Sequence, residues 1–450
     1  MDPKTLLISR RNVLLGSAAA TVLGPRVAHA TSVPSNGPTN LIVCIAKGGW
    51  DTSFTFDPKV NSEYVEGPEV DQTGHPDDID ELMEWGVRPD GSPGSIYVNN
   101  HKRRSVTEFF QNPLWKDKVA LVNGMWTGSI VHQPCRIRLL TGTTSSLNPD
   151  FATIFGAEMG EAEPIGSIDF SGLGYSGQLA ATTGTVGARS QLRALLDPNA
   201  SFRAPTWASY QLPRFTLNES EQDAIRHVIE QRADALRAMR GDGANNDLRL
   251  DDLEASLYRR DRLRAQGLDI VENLPLGDEP SFKLQSTLAV DLIEKGLCRA
   301  VTLQHFFSWD THKANVLQHE RYDSFFGTIN EMLTELHARN LLDNTLVCII
   351  SEMARTPKLN LGLGKDHWAH TSQIMVGGGV QGPVIYGGTD DLVESMRIDM
   401  ATGQVVGGAM DSTGELLKYD NFCAGVLAHM GVDPGPWYPS ITPFTAATLG

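Results

Sequence analysis

The sequence is short of several features that would place it in large functional classes. It holds five cysteines, Cys44, Cys135, Cys298, Cys348 and Cys423, an odd number at wide spacing and without a C-x-x-C pair. That pattern argues against a disulfide framework in a chain with this much core material. Cys44 and Cys348 lie inside apolar runs and read as small buried hydrophobes. No apolar stretch reaches the ~20 residues that a membrane span needs. Basic residues are in deficit, 38 Lys+Arg against 54 Asp+Glu, and the formal net charge is -16 over 450 residues. Such a chain is not built for nucleic acid or an anionic membrane surface. No G-x-G-x-x-G follows the first strand, and Gly377-Gly378-Gly379 does not supply one, so a nucleotide-binding oxidoreductase lacks support. No internal repeat stands out. The 41% hydrophobic and 20% charged composition is that of a globular protein and excludes wholesale disorder.

The first thirty residues read as an address. Ser9-Arg10-Arg11-Asn12-Val13-Leu14 is a twin-arginine pattern, an apolar run follows from Val13 to Gly24, and Ala28-His29-Ala30 is an A-x-A cleavage site. Residues 1–30 are therefore expected to be a signal peptide, and residues 31–450 an exported chain, periplasmic or secreted, with no transmembrane span. The twin-arginine export machinery is the implied partner. That route moves folded proteins, often already carrying a cofactor, which favours a metal or cofactor here.

In the remaining chain, apolar runs alternate with helical patterns. Leu41–Ala46 is apolar on both faces and reads as a central strand of a covered parallel sheet. Runs at 118–124, 299–307, 346–350 and 374–378 read as further strands. Leu284–Lys295 and Tyr322–Asn340 are helical, the latter with Phe325, Phe326, Ile329, Met332, Leu333 and Leu336 at helical spacing. Alternation of this kind gives an α/β sandwich. Residues 219–239 and 248–268 are charged and helical, and predict a helical insertion over about 215–268. Residues 60–104, acidic and rich in Gly and Pro, predict a long surface loop. Residues 387–415 predict another insertion or hairpin.

Three apolar strands end in an acid: Asp51, Asp310 and Glu352. In an open α/β sheet, ligands bind at the C-terminal strand edge, and acids gathered there call for a cation. His312 follows Asp310 by two residues, and Asp366, His367 and His370 lie in a Gly-rich loop after Glu352. Carboxylates with imidazoles from separate strand ends suit Zn, Mn or Fe, while carboxylates with few histidines suit Ca or Mg. Each residue taken singly has a structural reading too, since an Asp after a strand is commonly a helix cap. Trp50, Trp309 and Trp368 sit beside candidate ligands, where they shield the site, stack on a sugar or pack the core. His305 reads as a core histidine, and His319 as a reserve ligand.

Four blocks carry a resemblance: Gly48-Gly49-Trp50-Asp51, Trp309-Asp310-Thr311-His312, Ser351-Glu352-Met353-Ala354-Arg355-Thr356-Pro357 and Lys365-Asp366-His367-Trp368. In that order they resemble the signature blocks of the secreted bacterial "domain of unknown function 1501" family, placed in the alkaline phosphatase-like superfamily of sulfatases and phosphatases. The resemblance implies an α/β, alkaline phosphatase-like three-layer sandwich with a mostly parallel central sheet and a helical insertion. It implies Asp51 as the first-strand metal ligand, Asp310 with His312 as an Asp/His pair, Glu352 in place of a metal-binding Asp, and His367 or His370 as the late His. Met353 stands where a second ligand is expected. His132-Gln133-Pro134-Cys135-Arg136 followed by Leu140-Thr141-Gly142 resembles the sulfatase nucleophile pattern, with His132 at the nucleophile position and Arg136 as its support. His132 is open to three roles: covalent nucleophile, general base or metal ligand. Arg355 either holds an anionic oxygen or steadies the loop, and Lys47 and Arg136 share that ambiguity.

The expected function is an exported hydrolase dependent on a divalent metal (Zn, Mn or Ca) and acting on a small anionic ester or a sulfated or phosphorylated glycan. Its catalytic residues are expected to be His132, Arg136 and Arg355. Its metal ligands are expected among Asp51, Asp310, His312, Glu352, Asp366, His367 and His370. The alternative is a non-catalytic, metal-stabilised binding or assembly protein of the same fold.

Overall fold

A strand with no polar face is stable only inside a sheet covered on both sides. In the computed structural model of the chain, the apolar run at the start becomes such a strand, β1 (Asn40–Ala46), buried along its whole length. The structure describes residues 37–185 apart from 61, 69–72 and 161–162, residues 219–240, residues 258–270 apart from 260, 264 and 268, and residues 280–448. The expected signal peptide lies outside the described residues.

After β1 the main elements are β2 (Glu81–Val87), β3 (Pro93–Val98), α1 (Arg104–Gln111), β4 (Val119–Trp126), α2 (His132–Thr141), α3 (Phe151–Met159), β5 (Ser167–Asp169) and β6 (Thr183–Thr185). Then come α4 (Glu219–Arg240), α5 (Phe282–Glu294), β7 (Ala300–His305), α6 (Leu317–Ala338), β8 (Thr345–Ser351), β9 (Ala354–Arg355), β10 (His367–Trp368) and β11 (His370–Gly377). The chain finishes with β12 (Val384–Gly387), β13 (Arg397–Ile398), β14 (Val405–Gly407), β15 (Glu415–Leu416) and α7 (Tyr419–His429).

Ten strands form one sheet in the order β3-β2-β12-β4-β11-β8-β1-β7-β5-β6. Six of its nine pairings are parallel, and those of β11 with β4, β11 with β8 and β2 with β3 are antiparallel. Alternate residues of β1 feed two cores. Ile42, Cys44 and Ala46 face a layer built from α1, α5 and α6. Leu41, Val43 and Ile45 face a layer built from α2, α3 and α7. This is the expected three-layer α/β arrangement with a mostly parallel sheet.

Register decides where chemistry can gather. Ala46 of β1 lies opposite His305 of β7 and Ser351 of β8, so the three strands end level. β11 runs against its neighbours, and its first residue, His370, pairs with Trp126 at the end of β4. The segments after β1, β4, β7 and β8 and the segment before β11 therefore share one edge.

One expectation is corrected. Residues 60–104 are not a long surface loop, because β2 and β3 form a hairpin that pairs with β12 and widens the sheet. Trp85, Ile96 and Val98 are buried there in the first core. As an edge hairpin it exposes most of β2, so its acidic composition hides the strands. Of the expected helical insertion, residues 219–240 form α4, and much of the rest lies outside the described residues. Within 387–415 the chain makes a small antiparallel sheet in the order β14-β13-β15. No helix among the described residues is long and apolar enough to cross a membrane. All five cysteines are buried and unpaired.

Aromatic rings lock α6 beneath the site. Phe326 is fully buried and its ring meets those of Phe56, Phe109, Phe110, Tyr322 and Phe325. Phe326→Ala is expected to lower the stability of the chain by about 3–5 kcal/mol, measured by urea unfolding. A loss below about 1 kcal/mol would mean that this cluster does not hold α6 to the sheet.

Candidate metal centre

The end of β1 is hemmed in by backbone. Gly48 has φ +119°, and a Cβ there would come within 2.7 Å of the Asp310 amide nitrogen. Gly49, at φ +98°, would put a Cβ 2.7 Å from the Met353 side chain. Only glycine fits both the conformation and the space. The tight crossing brings the strand ends of β1, β7 and β8 within reach of one another.

Arg355, on β9, ties these ends together and is wholly buried. It donates to Gly48 O, to Gly49 O at 2.9 Å and to Lys365 O at 3.3 Å, and it pairs with Asp310 Oδ1 at 2.8 Å. Its fork is thus spent on backbone carbonyls and on Asp310.

Around Asp310 the side chains crowd. His367 Nε2 and His312 Nε2 each lie 3.0 Å from Asp310 Oδ1 and 2.9 Å from each other. His132, the first residue of α2, sets Nε2 3.3 Å from Asp310 Oδ2 and Nδ1 3.2 Å from Glu352 Oε1. Glu352 is buried and also accepts the Gly48 amide at 2.7 Å. Among the described residues its Oε2 accepts no hydrogen bond, and the Arg136 Nε lies 3.3 Å away. Among the described residues the terminal nitrogens of Arg136 make no ion pair, and its side chain is 25% exposed.

The far nitrogens of two imidazoles are anchored. His367 Nδ1 is 2.7 Å from Ile130 O, and His312 Nδ1 is 2.8 Å from Asp366 Oδ1. A carbonyl and a carboxylate only accept, so both Nδ1 atoms carry the proton and both Nε2 atoms present lone pairs. Two lone pairs and a carboxylate oxygen within 3.0 Å require a proton or a cation between them. One ligand atom each from His132, Asp310 and His367 falls within 4.8 Å of the others. The donor set fits a divalent metal, and imidazoles held from behind by a carboxylate or carbonyl are the usual backing of metal ligands.

Charge follows this layout. The hydrogen bond to Glu352 raises the His132 pKa above its ordinary value, with burial opposing and Asp310 adding to the rise. Burial pushes Asp310 upward, but Arg355, through its charge and its hydrogen bond, outweighs it and the acid is held at about 2. Burial lowers Arg355, and Asp310 offsets part of that. The hydrogen bond from His312 lowers Asp366.

Two of the residues expected as ligands stand outside the cluster. Asp51 caps a 3-10 turn at 52–54 by accepting from Ser53, and its carboxylate pairs with Lys365. His370 accepts the Ser395 amide on Nδ1 at 3.0 Å and faces that loop. His305 accepts from Trp309 Nε1 at 3.2 Å and is a core histidine, while His319 sits 3.2 Å from Arg103 Nη1 with its ring against Phe54. Met353 is buried as packing against Gly49. Trp50 and Trp309 are fully buried and pack the core, whereas Trp368 is half-buried and donates to Val393 O. Cys135 is buried, its thiol pushed up to about 11 chiefly by burial, and its sulfur donates to Ser129 O. Sequence reasoning missed Lys365, Asn315 and Gln318, buried polar residues that tie the end of β1 to α6 and the late loop. Lys365 stands inside the Lys-Asp-His-Trp block, the one signal available for it.

A cavity of about 380 Å³ opens beside Asp310 and His312, lined also by Lys313 and Arg321. A larger one of about 830 Å³ lies between α1, α5 and α6 and shares no residue with the cluster.

A family profile described as "Protein of unknown function (DUF1501)" matches residues 38–434. No curated protein matches the sequence. Among solved structures the chain is similar to Ps i-CgsB in complex with k-i-k-neocarrahexaose, at 9% identity over 90% of this chain and 75% of that one, with a TM-score of 0.41. It is similar to the lipoteichoic acid synthase LtaP from Listeria monocytogenes at 8% identity over 94% and 80% of the two chains, with a TM-score of 0.39. For the phosphonate monoester hydrolase of Agrobacterium radiobacter the values are 10%, 90%, 78% and 0.29.

The outlying histidines set an acid limit. Burial, the largest cause in each, lowers His305 to about 3, His319 to about 2 and His370 to about 4. Unfolded, each takes a proton below its ordinary value of ~6.5. Stability is therefore full above that pH and lost as pH falls toward 4, by up to about 1.4 kcal/mol per pH unit for each histidine. Urea midpoints at pH 7, 6 and 5 should fall steadily, and His370→Gln should make the fall shallower by about one proton. Equal midpoints at pH 7 and 5 would contradict the buried neutral state.

Proposed function

The chain belongs to the DUF1501 family, and for it we propose an exported hydrolase of anionic esters that depends on a divalent cation. One observation carries the reading: the meeting of His132, His312, His367 and Asp310 at the strand edge, with the Nδ1 protons of His312 and His367 turned away. These four would hold the ion. Glu352 and Asp366 orient His132 and His312 through their Nδ1 atoms. A set of three imidazoles and one carboxylate suits Zn or Mn better than Ca. When bound, the ion would polarise the ester and offset charge growing on its oxygens.

The chain's own groups do the rest. Arg136 presents its terminal guanidinium nitrogens for an anionic oxygen, while Glu352 holds its Nε side. Arg355 keeps Asp310 ionised and fixed rather than touching substrate. His132 serves as a ligand instead of a covalent nucleophile, since both its nitrogens face carboxylates. The cavity beside Asp310 has room for a small phosphate or sulfate ester, and Lys313 and Arg321 favour an anion there. Export rests on the twin-arginine pattern at Arg10-Arg11.

Metal content by plasma mass spectrometry on protein purified from the periplasm tests the reading. The parent should hold Zn or Mn, Asp310→Asn should lose it, and Glu352→Gln should bind it about 10–100-fold more weakly. Turnover of aryl phosphates or aryl sulfates should vanish in Asp310→Asn, and Arg136→Met should raise KM with the ion retained. A parent without metal sinks the mechanism. Bound metal with no turnover across the ester panel turns the reading to a binding or assembly protein of this fold.

A further inference from the structure

The carboxylate of Asp51 is closed by four donors. Oδ1 accepts the Ser53 amide at 3.1 Å and Ser53 Oγ at 2.6 Å. Oδ2 accepts Asn315 Nδ2 at 2.7 Å and Lys365 Nζ at 2.8 Å. An ionised carboxylate offers roughly four lone-pair sites, so Asp51 has none left for a metal. Lys365 is filled in the same way. Its three N–H bonds reach Asp51 Oδ2, Ser53 Oγ at 3.1 Å and Glu66 O at 2.7 Å, and the Phe54 ring lies 5.5 Å away. Both side chains are buried, 1% and 0% exposed.

The ammonium thus sits among a carboxylate, a hydroxyl and a carbonyl oxygen, the donor types that hold a hard divalent cation. We propose that Lys365 Nζ is a built-in cation filling a second ion site at the end of β1, so that the chain holds one exchangeable divalent ion, at Asp310. The charge on Asp51 is neutralised within the fold, whatever ions the medium supplies. The count in the parent rests on the centre proposed above, whereas the role of Lys365 does not.

Lys365→Ala empties the cradle and leaves its oxygens in place. The full-length exported chain, freed of metal by chelation, is titrated with Mn²⁺ by calorimetry and by electron paramagnetic resonance. Lys365→Ala should take up one equivalent more than the parent. Asp51→Asn should match the parent in ion count, with affinity changed less than about twofold, as for a site that shares no ligand. Equal counts in the parent and Lys365→Ala overturn the proposal, as does an ion lost from folded Asp51→Asn. A parent with no ion beside a Lys365→Ala protein with one supports the proposal and sinks the hydrolase centre instead. Should Lys365→Ala be unfolded after chelation, Mn²⁺ restores its melting transition, and failure to restore it counts against the proposal.

Discussion

The site depends on one buried guanidinium. Arg355 is held by three backbone carbonyls, two from the Gly48-Gly49 turn and one from Lys365, and its charge is met by Asp310. A charge taken this far from water is tolerated only when its donors are matched and its counter-ion is close. Arg355 comes just after β8, its carbonyls from the turn after β1 and the loop before β11, and its counter-ion from the loop after β7. The four segments are fixed relative to one another by a planar fork that no lysine could reproduce.

Two charge balances lie side by side along this edge. At the end of β1 an acid is matched internally by an ammonium, with every donor and acceptor used. Beyond β7, Asp310 meets a full arginine charge on one side and three imidazoles on the other. The first is a closed, structural arrangement. The second leaves lone pairs unmet at the surface end of the cluster, and it borders the cavity. An acidic strand end is thus not a ligand by virtue of position, and the donors that arrive from elsewhere decide its use.

Much of this was legible in the sequence. The strands β1, β4, β7, β8 and β11 announce themselves as apolar runs, because a central strand must be apolar on both faces. Acids just past those runs marked the edge, and the motif blocks named Asp310, His312, Glu352 and His367. The hairpin of β2 and β3 escaped, because only Trp85 in β2 is buried and a hairpin at the rim of a sheet needs no apolar run. His367 and His370 stood as equals until register separated them: His367 pairs opposite Arg355 on β10, whereas His370 pairs opposite Trp126 on β11. Asp51 looked like a ligand because its partner, Lys365, comes from far along the chain.

That separation has a consequence for assembly. The contact of Lys365 with Ser53 spans 312 residues, and that of Arg355 with Gly49 spans 306. Contacts of such span form late, since the chain must first close a long loop. Until β11 has docked between β4 and β8, the loop that brings His367 to Asp310 and the Lys365 ammonium to Asp51 is not anchored at the sheet edge. Completion of the sheet and completion of the site are therefore coupled, because β11 anchors the loop that carries Lys365 and His367.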